Sequence, residues 1–143
     1  MTRKDDADYI VGNVKEHTDW FRDSLPMIAS ENVISPMARE MMVSDLCDRY
    51  AEGLPGARYY QGNTFVDRVE VRATELAREL FQVPYADTRP ISGTVANLAV
   101  LFALTKPTEV VTVPNISDGA HISTARFGAV GVRGLEPVTY PFD

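Results

Sequence analysis

Four short stretches of the chain combine residue types that could do chemistry. Ser92-Gly93-Thr94 sets two hydroxyls around a glycine, between an extended run and an apolar helical run. A helix N-terminus leaves backbone N–H groups without partners, and a glycine lets an anion come close, so a phosphate would fit. The plainer reading is that Ser92 or Thr94 caps the helix; no P-loop lysine and no GxGxxG accompanies them. Residues 50–63 hold three glycines, one proline and three of the six tyrosines. There Glu52 lies among Tyr50, Tyr59 and Tyr60, with Arg58 close in sequence. A carboxylate beside phenols and shielded from water suits proton transfer near neutral pH. The same tyrosines and arginine would also anchor a subunit interface, and both readings hold if the site lies at one. The third stretch is Asp118-Gly119-Ala120-His121, a turn opening a short helix after a strand. Open α/β sheets bind ligands at that edge, although a lone histidine is more often structural. The fourth, Ile28-Ala29-Ser30-Glu31-Asn32, is by itself only a turn.

The elements that would position these residues follow from pattern. Residues 5–22 are polar with scattered Ile10, Val14, Trp20 and Phe21, an amphipathic surface helix or arm. Ser35-Pro36 reads as an N-cap and first helical residue, opening a helix over roughly 36–47. Residues 50–63 are too rich in Gly and Pro for regular structure over most of their length. Thr64 and Asp67 resemble a capping box. The helix after them carries Val66, Val69, Ala73, Leu76, Ala77 and Leu80 on one face and Arg72, Glu75 and Arg78 on the other. Tyr85–Pro90 fits a short strand, and residues 93–104 an apolar helix. Residues 109–113 form a β-branched strand, 114–119 a loop, 120–126 a short helix and 136–140 a last strand. This alternation predicts an α/β fold with a mainly parallel sheet flanked by helices.

Composition narrows the partners. The chain has 143 residues, enough for one domain, and a net charge of −6. Its 14 basic residues are spread among carboxylates, which argues against nucleic acid as a partner. The lone Cys47 forms no internal disulfide and fits a reducing cytoplasm. Two histidines and one cysteine are too few for a dedicated zinc site, so no metal is expected. The charged N-terminus is no secretory signal, and the apolar run 95–104 is too short to cross a membrane.

Taken in order and spacing, residues 28–32, Arg49–Tyr60, Ser92–Asn97 and Asp118–His121 closely resemble the serine hydroxymethyltransferase family. The tyrosine loop is the most specific part. Tyr60-Gln61-Gly62, residues 95–100 and Gly131-Val132-Arg133-Gly134 look most like archaeal members. The resemblance implies a pyridoxal 5′-phosphate (PLP) enzyme of the aspartate-aminotransferase fold, fold type I. It implies an interface arm, helix and tyrosine loop over residues 1–63, and the start of the large PLP-binding domain over 64–143. It implies reversible transfer of the serine hydroxymethyl carbon to tetrahydrofolate or tetrahydromethanopterin, giving glycine, in a cytoplasmic homodimer with shared active sites.

Residue by residue, the resemblance places Ser30 at the substrate amino acid and Tyr50 at the cofactor phosphate of the neighbouring subunit. Glu52 would handle protons at the substrate hydroxyl and the pterin, with Tyr59 and Tyr60 in the same site. Ser92, Gly93 and Thr94 match the phosphate turn, and Asn97 a polar residue of the following helix. His121 matches the histidine that stacks on the cofactor ring. Ile116, Ala120, His121 and Ile122 fall where the pterin is contacted. Ala120 stands where the family has a second glycine, and Ser123-Thr124 lacks a further histidine often seen there. The family's cofactor-linking lysine, ring-pairing aspartate and carboxylate-binding arginine fall beyond Asp143, so the isolated chain is expected to be inactive. The last strand is then expected to be an unpaired start of a larger sheet. Rival readings are a PLP-dependent aldolase or transaldolase on β-hydroxy amino acids, and a non-catalytic half-site protein.

Overall fold

In the computed structural model, which describes residues 2–141, the polar N-terminal stretch folds as one long helix, α1 (Arg3–Arg22). Its start is a reciprocal capping box: Asp5 N–H donates to Thr2 Oγ1 at 3.2 Å, and Thr2 N–H to Asp5 Oδ2 at 2.7 Å. Ser35 caps α2 (Pro36–Met42) by accepting from Ala38 N–H at 3.2 Å. The helix is shorter than the pattern implied. It closes at Val43, and after an extended Ser44 a 3-10 turn runs from Asp45 to Asp48. Asp45 is drawn into a two-pronged pair with Arg49, at 2.8 and 2.5 Å. These elements lie in one unit, Met1–Tyr50; the rest form a second, Ala51–Asp143.

The second unit opens with a small antiparallel hairpin, β1 (Gly53–Leu54) and β2 (Ala57–Arg58), inside the stretch expected to lack regular structure. Helix α3 (Thr64–Phe81) follows, as its apolar repeat predicts. The capping box expected at its start does not form. Asn63 occupies the cap position but its side chain does not cap the helix, and Asp67 turns back to the hairpin instead. The strand expected over Tyr85–Pro90 is also absent. Asp87 there closes on its neighbour, accepting from Arg89 N–H, Nε and Nη2 at 3.0, 2.8 and 2.5 Å. Those bonds draw the Asp87 carboxyl down to about 2, and a backbone curled around its own side chain offers no ladder to a partner strand.

Helix α4 (Gly93–Leu104) leads to β3 (Val110–Pro114). The helix expected near 120–126 is a single 3-10 turn, Ile122–Thr124, and a short helix that the pattern did not show, α5 (Ala129–Arg133), follows. Strand β4 (Glu136–Tyr140) then pairs in parallel with β3, Val110 opposite Glu136 through Pro114 opposite Tyr140. The last strand is therefore paired on one side, contrary to expectation. Among the described residues the sheets are a two-stranded parallel pair and a two-stranded hairpin, so the architecture is α/β with small sheets.

The core lies around this crossover. Val113, Ala129, Val130 and Leu135 are its buried apolar residues. Helix α5 packs so closely that a Cβ on Gly131 would strike the carbonyl of Arg126. Arg133 ties α5 to the end of α4, donating to the Thr105 carbonyl with its guanidinium 4.6 Å from the Phe102 ring centroid. Among the described residues, no helix is long and apolar enough to cross a membrane.

Candidate active site

The site grows from the first turn of α4. Ser92 is extended and caps the helix, its Oγ accepting from Val95 N–H at 3.2 Å and its carbonyl from Ala96 N–H at 3.0 Å. The N–H groups of Gly93 and Thr94 come before the first bonded turn and face outward from the helix end. No acidic side chain stands in that turn. A Cβ built on Gly93 would meet nothing within 4 Å, so the space before these groups is open. Unopposed N–H groups, the helix dipole and two hydroxyls suit a phosphate. The signal that marked Ser92-Gly93-Thr94 in the sequence therefore corresponds to a serine-capped helix start with open space at Gly93.

One turn further on, Asn97 shares the helix face of Gly93. Its Nδ2 donates to Ser123 Oγ at 2.9 Å, across 26 residues of sequence. Ser123 Oγ in turn lies 2.8 Å from His121 Nδ1, and Ser123 N–H donates to the same nitrogen at 3.1 Å. Ser123 is 2% exposed, while the His121 ring remains exposed. This chain of bonds holds the segment after β3 against the start of α4. Asn97, Ser123 and His121 are thereby joined, and Ser92, Gly93 and Thr94 lie within one turn before Asn97 at the start of α4. Ile116 and Ile122 are exposed on either side of His121, and Ala120 is half-buried.

The tyrosine loop is a second built feature, organised by Arg58. Its side chain is 6% exposed, with Nε 2.7 Å from Asp67 Oδ1 and Nη2 2.7 Å from Glu70 Oε2. It also donates to the carbonyls of Ala51 at 2.5 Å and Gly53 at 3.0 Å. Gly56 N–H donates to Asp67 Oδ2 at 2.9 Å. These bonds hold the Asp67 carboxyl below its usual range, with Arg58 the largest cause and Gly56 N–H the next. The hairpin is thus bolted to the first turns of α3, and Asn63 Nδ2 secures the Tyr60 carbonyl at 3.1 Å. Tyr59 N–H donates to the Glu52 carbonyl at 3.1 Å, so Glu52 and the tandem tyrosines flank one backbone bridge. The Tyr59 ring is 81% exposed and Glu52 is also exposed, not shielded by this chain. Ser30, in an exposed turn, and Tyr50, also exposed, belong to the first unit.

Two residues that shape the site were not singled out by sequence. Ser123 drew notice only for not being a histidine, and Arg58 only as a neighbour of Glu52 and an interface anchor. For Arg58 a signal exists: Asp67 and Glu70 stand three apart on one helix face, spaced to receive one guanidinium. For Ser123 no local pattern announces a partner 26 residues away.

Comparison with known proteins gives the family of the chain. The family model for serine hydroxymethyltransferase matches residues 3–132. The chain is 56% identical over 138 residues to the serine hydroxymethyltransferase of Picrophilus torridus, covering 96% of this chain and 32% of that protein. It is 55% identical over 129 residues to that of Thermoplasma volcanium (90% and 30%), and 50% identical over 139 residues to that of Methanopyrus kandleri (97% and 32%). The chain thus spans about a third of the length of the curated relatives it matches. The family match covers both the tyrosine loop and the Ser92–His121 cluster, and the chain belongs to the serine hydroxymethyltransferase family.

Proposed function

We propose that the whole protein transfers the hydroxymethyl carbon of serine reversibly to tetrahydrofolate or tetrahydromethanopterin, giving glycine, in the cytoplasm. Its fold would be the type I fold of PLP enzymes, with β3 and β4 part of a mainly parallel sheet. The observation that carries this reading is the open first turn of α4, tied through Asn97 and Ser123 to the exposed His121 ring. When PLP is bound, it supplies the electron sink for bond cleavage at the substrate α-carbon.

The residues of this chain divide the remaining work. Ser92, Gly93 and Thr94 receive the phosphate with two N–H groups and two hydroxyls. His121 would lie against the cofactor ring when PLP is bound. Asn97 holds the Ser123–His121 segment in place and borders the substrate side. Ser30 orients the substrate amino acid. Glu52 moves a proton at the substrate hydroxyl, and Tyr60, with Tyr59 beside it, lies close to the reacting amino acid. Tyr50 reaches the phosphate of a second copy, so the assembly is a homodimer with shared sites. Ile116, Ala120 and Ile122 border the pterin around His121.

Ser92→Asp tests the phosphate turn in the full-length enzyme. Aspartate caps a helix as well as serine does, so thermal stability should hold within about 0.5 kcal/mol. A second negative charge beside the phosphate should weaken PLP binding by tenfold or more, about 1.4 kcal/mol. PLP affinity equal to that of the unmodified enzyme would overturn the assignment.

A further inference from the structure

We propose that Ser123 is a positioning residue that fixes the tautomer and plane of the His121 ring, with Asn97 setting the direction of its hydroxyl. The inference rests on the reading of His121 as the ring-stacking residue only for its consequence in catalysis; the tautomer follows from the bonds themselves.

Backbone N–H groups only donate. Ser123 N–H points at His121 Nδ1 at 3.1 Å, so that nitrogen must present a lone pair. The Ser123 hydroxyl lies 2.8 Å from the same atom. A hydroxyl has one proton, and Asn97 Nδ2 already donates to its oxygen at 2.9 Å. The Ser123 proton is therefore directed at Nδ1. Two donors converge on one nitrogen, and the imidazole proton resides on Nε2. Turning the Asn97 amide around would aim a second acceptor at the hydroxyl and oppose what the backbone N–H requires. Ser123 is 2% exposed, so water does not compete for these bonds. Two bonds at one ring atom also restrict rotation of the imidazole, leaving an exposed ring of fixed plane.

The test uses full-length enzyme labelled with 15N-histidine, with the His121 signals identified by their loss in His121→Gln. The expected result is a pyridine-type shift at Nδ1 and a pyrrole-type shift at Nε2. In Asn97→Asp the hydroxyl should turn toward the new carboxylate, and the Nε2–H share should fall. Ser123→Ala should do the same by deleting the donor, and Ser123→Thr should restore the unmodified pattern. A pyrrole-type Nδ1 in the unmodified enzyme, or unchanged shifts in both Asn97→Asp and Ser123→Ala, would overturn the proposal. Since Asn97→Asp keeps Ser123 and its packing, the test stands even if Ser123→Ala fails to fold. The catalytic consequence is read separately: Ser123→Ala should weaken PLP binding roughly fivefold, the worth of about one hydrogen bond, with Ser123→Thr close to unmodified. If the tautomer shifts as expected but neither His121→Gln nor Ser123→Ala alters PLP binding, the positioning role stands and the stacking role of His121 fails.

Discussion

A carboxylate at the edge of a tyrosine hairpin does little by itself, since Glu52 stands in solvent within this chain. Its proposed proton transfer needs a second surface to exclude water and bring the substrate hydroxyl within reach. Glu52→Gln in the full-length enzyme keeps the shape and removes the base. Transfer from serine should slow by about a hundredfold, with PLP affinity within about threefold of the unmodified enzyme. Turnover per bound PLP that is unchanged would contradict the role, and so would a loss confined to cofactor binding. Steady-state glycine formation and PLP titration measure the two quantities separately. By comparison the proposed phosphate contacts of Ser92, Gly93 and Thr94 need less from outside the chain, because a helix end supplies its own N–H groups.

At the scale of elements, the Arg58 clasp decides whether the tyrosine loop keeps its form. Asp67 is held below its usual titration range in the fold and titrates near pH 4 when unfolded. A carboxyl with a lowered folded pKa contributes stability above the unfolded value and loses it as pH falls through the folded one. Hydrogen-exchange protection at Gly56 and Tyr59 should therefore decline below about pH 4. Asp67→Asn should lower that protection at neutral pH and remove most of its dependence on acid. Protection unchanged from pH 7 to pH 3 would show that the clasp does not hold the loop. The sequence read α1, α3, α4, β3 and β4 because capping residues and apolar period act locally. It misread Thr64 and Asp67, where the local capping pattern lost to a stronger charged partner outside the helix. It misread Tyr85–Pro90 because an Asp87–Arg89 clasp two residues apart leaves no period-2 signature. It missed α5 because three glycines in seven helical and flanking positions, Gly128, Gly131 and Gly134, mask a helix imposed by close packing. At the site, residues named by motif were legible, but the bonds that orient them join segments distant in sequence.

For the molecule as a whole, the balance of covered and uncovered apolar surface is telling. Among the described residues four apolar side chains are buried, whereas Val69, Leu80, Val100 and Phe102 are all exposed. Helix α4 has no charged residue at all, the composition of a helix enclosed on every side. Its relatives are about three times longer, and the uncovered faces suit contact with further parts of such a protein. Of the lysines, Lys106 alone lies in the unit that holds Ser92 and His121. Lys4 and Lys15 lie on α1, and Lys106 lies past the far end of α4, about 18 Å from Ser92 by helix length. The 143-residue chain mixed with PLP should show no absorbance of a covalent cofactor–lysine bond and form no glycine from serine. Stoichiometric appearance of either would refute that expectation.

The parallel pair of β3 and β4 carries one further consequence. Glu136 N–H bonds to the Glu109 carbonyl, so even-numbered residues of β4 face β3 and odd-numbered ones face away. Pro137 is thus on the outer margin of β4, and by the same alternation Pro114 is on the outer margin of β3. Each margin lacks one outward N–H at its proline. A strand from a stray copy cannot zip along either without leaving a carbonyl unmatched. The two prolines act as gatekeepers against fibrillar stacking while the sheet is still narrow.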